Sequence, residues 1–154
     1  MPITVDNRNE QVKNLLNGTI KAIGAVVPIQ HQITKPRLVE RELSLHFGVL
    51  IGLVGDIRGK LVLKGELSIF GSIGQSMFGM PLEGEMLSSF TGELGNMIAG
   101  SLSTNIAENG MKTDISAPTI MQGNTTLSGF SNALEVPIIF DSIGEMQIYL
   151  VLDK

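Results

Sequence analysis

Glu93 and Asn96 are the pair in this chain whose types and spacing suit chemistry on another molecule. A carboxylate fixes a cationic group by a charge-assisted hydrogen bond, and a carboxamide both donates and accepts. Held together, they can grip a partner's lysine and orient a water for hydrolysis in that partner's active site. At about 100° per residue, the two fall roughly 60° apart on one helix face. Ser89, Gly92, Gly100 and Ser103 surround them, so the pair stands in a clearing of small side chains that a foreign surface can approach closely. A Glu and an Asn on a surface helix are commonly just solvated; the ring of small residues singles this pair out.

Other chemistry is absent from the sequence. The two histidines, His31 in a predicted loop and His46 in a predicted strand, are not at metal-ligand spacing. Without cysteine there is no disulfide framework, thiol nucleophile or thiolate metal site. No Gly-x-x-x-x-Gly-Lys loop, Gly-x-Ser-x-Gly elbow or His-Glu-x-x-His helix occurs. The run Gly92-Glu93-Leu94-Gly95 is no phosphate loop, because it lies inside a predicted helix and has no basic neighbour. No metal site is expected in the chain.

The element that must position the pair is one long helix from near Glu83 to Glu108, stopped by Asn109-Gly110. Leu87, Phe90, Leu94, Met97, Ile98, Leu102 and Ile106 recur at three and four and define its buried stripe. Gly92, Gly95 and Gly100 each cost about 1 kcal/mol against alanine there, so they are kept for something other than helix stability.

Around this helix, Asn9 to Val27 reads as an amphipathic helix ended by Pro28. Every odd position from Leu43 to Leu53 is large and apolar, a strand signal. Gly55-Asp56-Ile57-Arg58-Gly59 turns that strand into a second one ending near Glu66. Helical spacing returns from Leu67 to Phe78 and breaks at Gly79-Met80-Pro81. Thr113 to Met121, with Pro118 inside it, is ambiguous and suits a short edge strand. Gly123 to Asn132 reads as a polar turn region. Leu134 to Asp141 and Glu145 to Leu152 alternate as a last hairpin, and Pro137 marks the first of them as an edge or bulged strand. The sum is an α+β fold: an antiparallel sheet built from two hairpins, covered on one face by helices that include the long one. The small even-numbered residues of the first strand leave the other face unexplained.

A chain of 154 residues with 43% apolar and 17% charged residues fits one globular domain, residues 1–154. The start, Met1 to Glu10, lacks the layout of a signal peptide, and no apolar run approaches the ~20 residues of a membrane span. A soluble, cytoplasmic protein with no membrane insertion is expected. The net charge of −4 is unevenly spread: no Lys or Arg occurs between Lys64 and Lys112, while Glu66, Glu83, Glu85, Glu93 and Glu108 all do. Such a surface repels nucleic acid and suits a cationic pocket on a protein partner.

The run Glu93-Leu94-Gly95-Asn96-Met97-Ile98-Ala99-Gly100 resembles the Glu-x-x-Asn signature of the CheC, CheX and FliY phosphatases of bacterial chemotaxis. The order of elements resembles that family along nearly the whole chain, including the segment Phe78-Gly79-Met80-Pro81. The resemblance implies dephosphorylation of a phosphorylated CheY-like response regulator, with Glu93 on the regulator's lysine and Asn96 on the attacking water. It also implies that magnesium sits in the partner, so that this chain needs no cofactor of its own, and that the chain forms a homodimer whose sheets join across subunits. The residue three after Glu10 is Lys13, and no other Glu has Asn three positions on, so the single signature is nearest the CheX branch. Two other readings use the same residues differently. One is a non-catalytic regulator-binding or scaffold module of chemotaxis or the flagellar switch. The other, a small-molecule sensor, rests only on eight methionines, which are more often core filler.

Overall fold

The computed structural model describes residues 5–153. Met1 to Thr4, part of the start whose layout is unlike a signal peptide, lie outside the described residues. The elements run α1 (Val5–Val26), β1 (His31–Ile33), β2 (Arg37–Gly55), β3 (Gly59–Lys64), α2 (Leu67–Phe78), α3 (Gly84–Ala107), β4 (Thr113–Ile115), β5 (Thr119–Phe140) and β6 (Gly144–Leu152). The fold is α+β, and every strand pairing among the described residues is antiparallel.

Both expected hairpins are present. The alternation in β2 pairs with β3 from Gly48↔Lys64 to Leu53↔Gly59. The last hairpin pairs Ala133↔Val151 through to Phe140↔Gly144. Its strand β6 lies beside β3, with Leu61 opposite Leu150, and the full order is β1-β5-β6-β3-β2-β4. The helices cover one face. Leu94, Ile98 and Leu102 of α3 are wholly buried in one cluster with Val49, Ile51, Leu61 and Leu63, each such side chain contributing about 1.5–3 kcal/mol. α1 lies along α3, where Asn105 Nδ2 donates to the carbonyl of Gly18 at 2.9 Å.

Four expectations are corrected. Gly123 to Asn132 is not a turn region but the middle of β5, a 22-residue strand paired to β2 from Arg37↔Glu135 to Leu50↔Thr119. Its glycines mimic turn signals because the ladder is irregular there. A register shift falls between Leu45 and Phe47, and opposite it Gly123 takes φ 86, the left-handed conformation a bulge needs. Thr113 to Met121 holds the expected short edge strand only at its start, as β4, and after Pro118 it becomes the beginning of β5. The predicted loop around His31 contains β1, which pairs His31 with Phe140.

The fourth concerns Pro137, which marks no edge, since β5 is flanked by β6 on one side and by β1 and then β2 on the other. The proline sits in the gap between the β1 pairing, which ends at Ile138, and the β2 pairing, which begins at Glu135. Its carbonyl accepts from Thr34 N–H on that side. Its nitrogen, which carries no hydrogen, faces the same gap and costs no ladder bond.

The second sheet face is covered by strand, not helix. β2, β3, β6 and β5 pair in a closed circuit, because β2 and β5 also pair with each other. Val62, Tyr149 and Val151 alternate with helix-facing neighbours and so point away from the helices. They cluster with Leu43, Leu45, Met121 and Ala133. The odd-numbered run in β2 therefore serves two cores: Leu43 and Leu45 on this side, Phe47 to Leu53 on the helical side. The change from one core to the other falls at the register shift between Leu45 and Phe47. No helix among the described residues is long and apolar enough to cross a membrane.

Candidate functional site

α3 presents its stripe to the sheet as its spacing requires: Leu87, Phe90, Leu94, Ile98, Leu102 and Ile106 are buried. Met97, expected in that stripe, is instead 38% exposed. At about 100° per residue it lies some 40° from Glu93, well inside the solvent face.

Glu93 and Ser89 are exposed, and Asn96 and Gly100 are half-buried beside them. No described residue pairs with the Glu93 carboxylate or the Asn96 amide. The acidic and amide functions are thus available to a partner and not spent on holding the fold. A Cβ on Gly100 would meet nothing within 4 Å, so this glycine leaves real space.

The other small residues differ from the expected open clearing. Gly92 is buried, and a Cβ there would stand 3.5 Å from Pro118 and Ile120. Its missing side chain lets the β4–β5 connection lie against the helix. Ser103 is half-buried and its hydroxyl donates to the Thr113 carbonyl, tying α3 to β4. Gly95 faces the sheet, where a Cβ would come within 2.8 Å of Val49 Cγ1 and 2.9 Å of Ile51 Cδ1. The glycines thus serve two ends: close packing of α3 on its own protein at 92 and 95, and access to Asn96 at 100. On the Asn96 side the helix is walled by Pro118 and Ile120.

Glu93 looks out from a segment with no lysine or arginine from Gly65 to Met111. Glu108, near its end, pairs with Lys21 at 3.6 Å. Among the described residues, no group of three or more His, Cys, Asp or Glu is arranged to hold a metal. His46 is exposed on β2, and His31 bonds the Ile29 carbonyl at 2.9 Å and leans on Phe140. A cavity of about 820 Å³ lies elsewhere, between β2, β3, β6 and the start of α2, lined by His46, Lys64, Leu67 and Gln147 among others and by none of the expected site residues.

Two features escaped the sequence reading. Exposed Met86 and Phe78 flank the site; the signal was Met86 seven residues before Glu93, two turns back on the same face. On the other sheet face, buried Glu135 accepts from Arg37 Nε and from Tyr149 Oη, both at 2.6 Å. Burial first, then the bond to Glu135, holds the Tyr149 phenol well above its ordinary pKa. A glutamate inside the alternating run Leu134-Glu135-Val136 was the available sign.

Comparison with known proteins adds to this geometry. A family model described as the chemotaxis phosphatase CheX matches residues 47–140. The chain is 28% identical over 144 residues to the CheY-P phosphatase CheX of Thermotoga maritima, covering 90% of this chain and 93% of that protein. Among solved structures it is similar to the chemotaxis protein CheX from Desulfovibrio desulfuricans, with TM-score 0.78 and 19% identity, over 94% of this chain and 99% of that one. It is also similar to the CheX-CheY-BeF3-Mg+2 complex from Borrelia burgdorferi, with TM-score 0.77 and 18% identity, over 93% and 97%. At these identities the two structural likenesses show the fold.

Proposed function

The chain belongs to the CheX family of chemotaxis phosphatases, and from that membership we propose that it hydrolyses the aspartyl phosphate of a CheY-like response regulator by inserting Glu93 and Asn96 into the regulator's active site. The observation that carries the mechanism is the pair itself. An unpartnered carboxylate and an unpartnered carboxamide stand one turn apart, beside a glycine that leaves open space.

In the complex, Glu93 accepts a charge-assisted hydrogen bond from the regulator's active-site lysine, fixing the register of the two proteins. The partner covers Glu93 and excludes water, which strengthens that bond relative to one in solvent. Asn96, one turn along, accepts from the attacking water through its carbonyl, or donates to it through its amide, and holds it in line with the bond to phosphorus. Water adds to phosphorus as the bond to the aspartate oxygen breaks, leaving carboxylate and inorganic phosphate. Magnesium belongs to the regulator in this reading, and no group in this chain is asked to bind it. The barrier falls through positioning and electrostatics, the usual terms in phosphoryl transfer.

The partner-facing surface is assigned to Ser89 and Gly100 around the pair, with Gly92 and Ser103 shaping it from within. We also propose a homodimer formed through sheet edges or helices, acting in the cytoplasm. The short terminal strands β1 and β4 leave open edges, and Leu38 and Ile139 are exposed large apolar residues. The test of function is incubation with phosphorylated CheY-like regulators from the same organism, following phosphate loss over time. Faster loss with the parent protein and not with Asn96→Ala is expected. Equal loss with both proteins overturns the assignment of Asn96.

A further inference from the structure

The solvent face of α3 is not uniform about Glu93. Taking Glu93 as the origin and about 100° per residue, Met86 falls near +20°, Met97 near +40° and Phe90 near +60°. Ser89, Asn96 and Gly100 fall between about −60° and −20°. One flank of the glutamate is therefore small and polar, and the other is large and apolar. Met86 and Met97 are 55% and 38% exposed. Phe90 is buried, but Phe78 from the end of α2 stands edge-on against it, with ring centroids 5.6 Å apart and planes at 87°, and keeps 59% of its own surface in water. Phe78 is placed there by the helix end: Gly79 takes φ 74, and its N–H bonds the Gln75 carbonyl at 2.7 Å.

We propose that Phe78, Met86 and Met97 form an apolar seat for the phosphorylated regulator, receiving a hydrophobic side chain on the regulator's surface beside its phosphorylation pocket. This inference rests on the reading of Glu93 and Asn96 given above. Met86, Glu93 and Met97 lie on one ridge within about 16 Å along the axis, so a protein that reaches Glu93 covers its two methionine neighbours as well. The division of the face gives the partner only one favourable orientation: lysine to Glu93, water pocket to Asn96, apolar contact to the methionine side. Methionines are flexible and polarizable, so the seat can adapt to regulators whose contacting side chains differ. It contributes affinity and choice of regulator, not the chemical step.

The test uses the full-length protein and a regulator held in its activated form by beryllofluoride and magnesium, with affinity measured by titration and turnover measured separately on the phosphorylated regulator. Met86→Glu and Met97→Glu are each expected to weaken binding about tenfold or more, leaving kcat at saturating regulator within about twofold. Met97→Leu restores affinity, and Val54→Glu, at an equally exposed apolar residue on β2, leaves it unchanged. Neither methionine variant endangers the helix, since both side chains are exposed and glutamate suits the first turn where Met86 lies. Unchanged affinity in both variants, with the parent still hydrolysing the regulator, overturns the seat and leaves the catalytic reading standing. Loss of self-association with unchanged regulator affinity also overturns it, because a second copy then occupies this face. A parent protein that neither binds nor hydrolyses any regulator overturns both.

Discussion

A Cβ on Gly95 would lie 2.8 Å from Val49 Cγ1, so α3 meets β2 backbone-first at a position between Glu93 and Asn96. The absence of a side chain at residue 95 therefore sets how close the signature segment comes to the sheet, and with it how the pair is held.

Gly92, Gly95 and Gly100 should respond differently to substitution. Gly95→Ala gains about 1 kcal/mol of helix propensity but meets Val49 and Ile51, and overpacking costs about 1–3 kcal/mol. A net loss of stability is expected, and Gly95→Leu should lose far more. Gly100→Ala, in open space, should gain up to about 1 kcal/mol. Gly100→Leu should stay folded yet dock poorly, while Gly92→Leu should displace Pro118 and Ile120. Denaturant midpoints beside regulator affinity separate these cases; a Gly95→Leu variant as stable as the parent refutes the packing role.

Glu93 and Asn96 should separate binding from rate. Glu93→Ala removes the contact proposed to the regulator's lysine and should weaken both affinity and turnover. Asn96→Ala should leave affinity nearly intact and lower kcat by about 10²-fold or more. If Asn96→Ala instead loses affinity at full kcat, the amide is a docking group and the non-catalytic module becomes the better reading.

Tyr149 predicts a pH dependence of stability. Its bond to buried Glu135 is to a charged acceptor, so Tyr149→Phe should cost about 1.5–3 kcal/mol at neutral pH. The phenol's folded pKa is raised above the ordinary value of about 10, so its contribution is complete below pH 10 and is lost as pH rises beyond it. The stability gap between parent and variant should be constant from pH 7 to about 10 and narrow above that. A gap that widens in alkali has the wrong sign for this account.

Assembly and salt give a fourth check. Light scattering at micromolar concentration should give about twice the 16.5 kDa of one chain; a mass near 16.5 kDa counts against the dimer. Regulator affinity should fall modestly with added salt, since the lysine contact proposed for Glu93 is electrostatic, and affinity flat from low to high salt argues against that contact.

The features legible in the chain before folding are local and periodic. The stripe from Leu87 to Ile106, the alternation in β2 and the turn at Gly55 to Gly59 are repeats of 3.6 and 2 with their punctuation, and each specifies an element without knowledge of its neighbours. The Glu93 and Asn96 pair was legible for the same reason, because spacing on one helix sets their relative direction. What depends on a neighbour distant in the chain emerged only on folding. Gly92 is buried because Pro118 and Ile120 come to lie on it. Gly123 reads locally as a turn, yet it is a bulge within β5, because pairing with β2 continues on both sides of it. Pro137 reads locally as an edge, yet it falls where two partner strands leave a gap. A residue's own chemistry sets what conformation it tolerates, and the partners brought to it by folding decide whether that conformation turns the chain, bulges it, or lets another element approach.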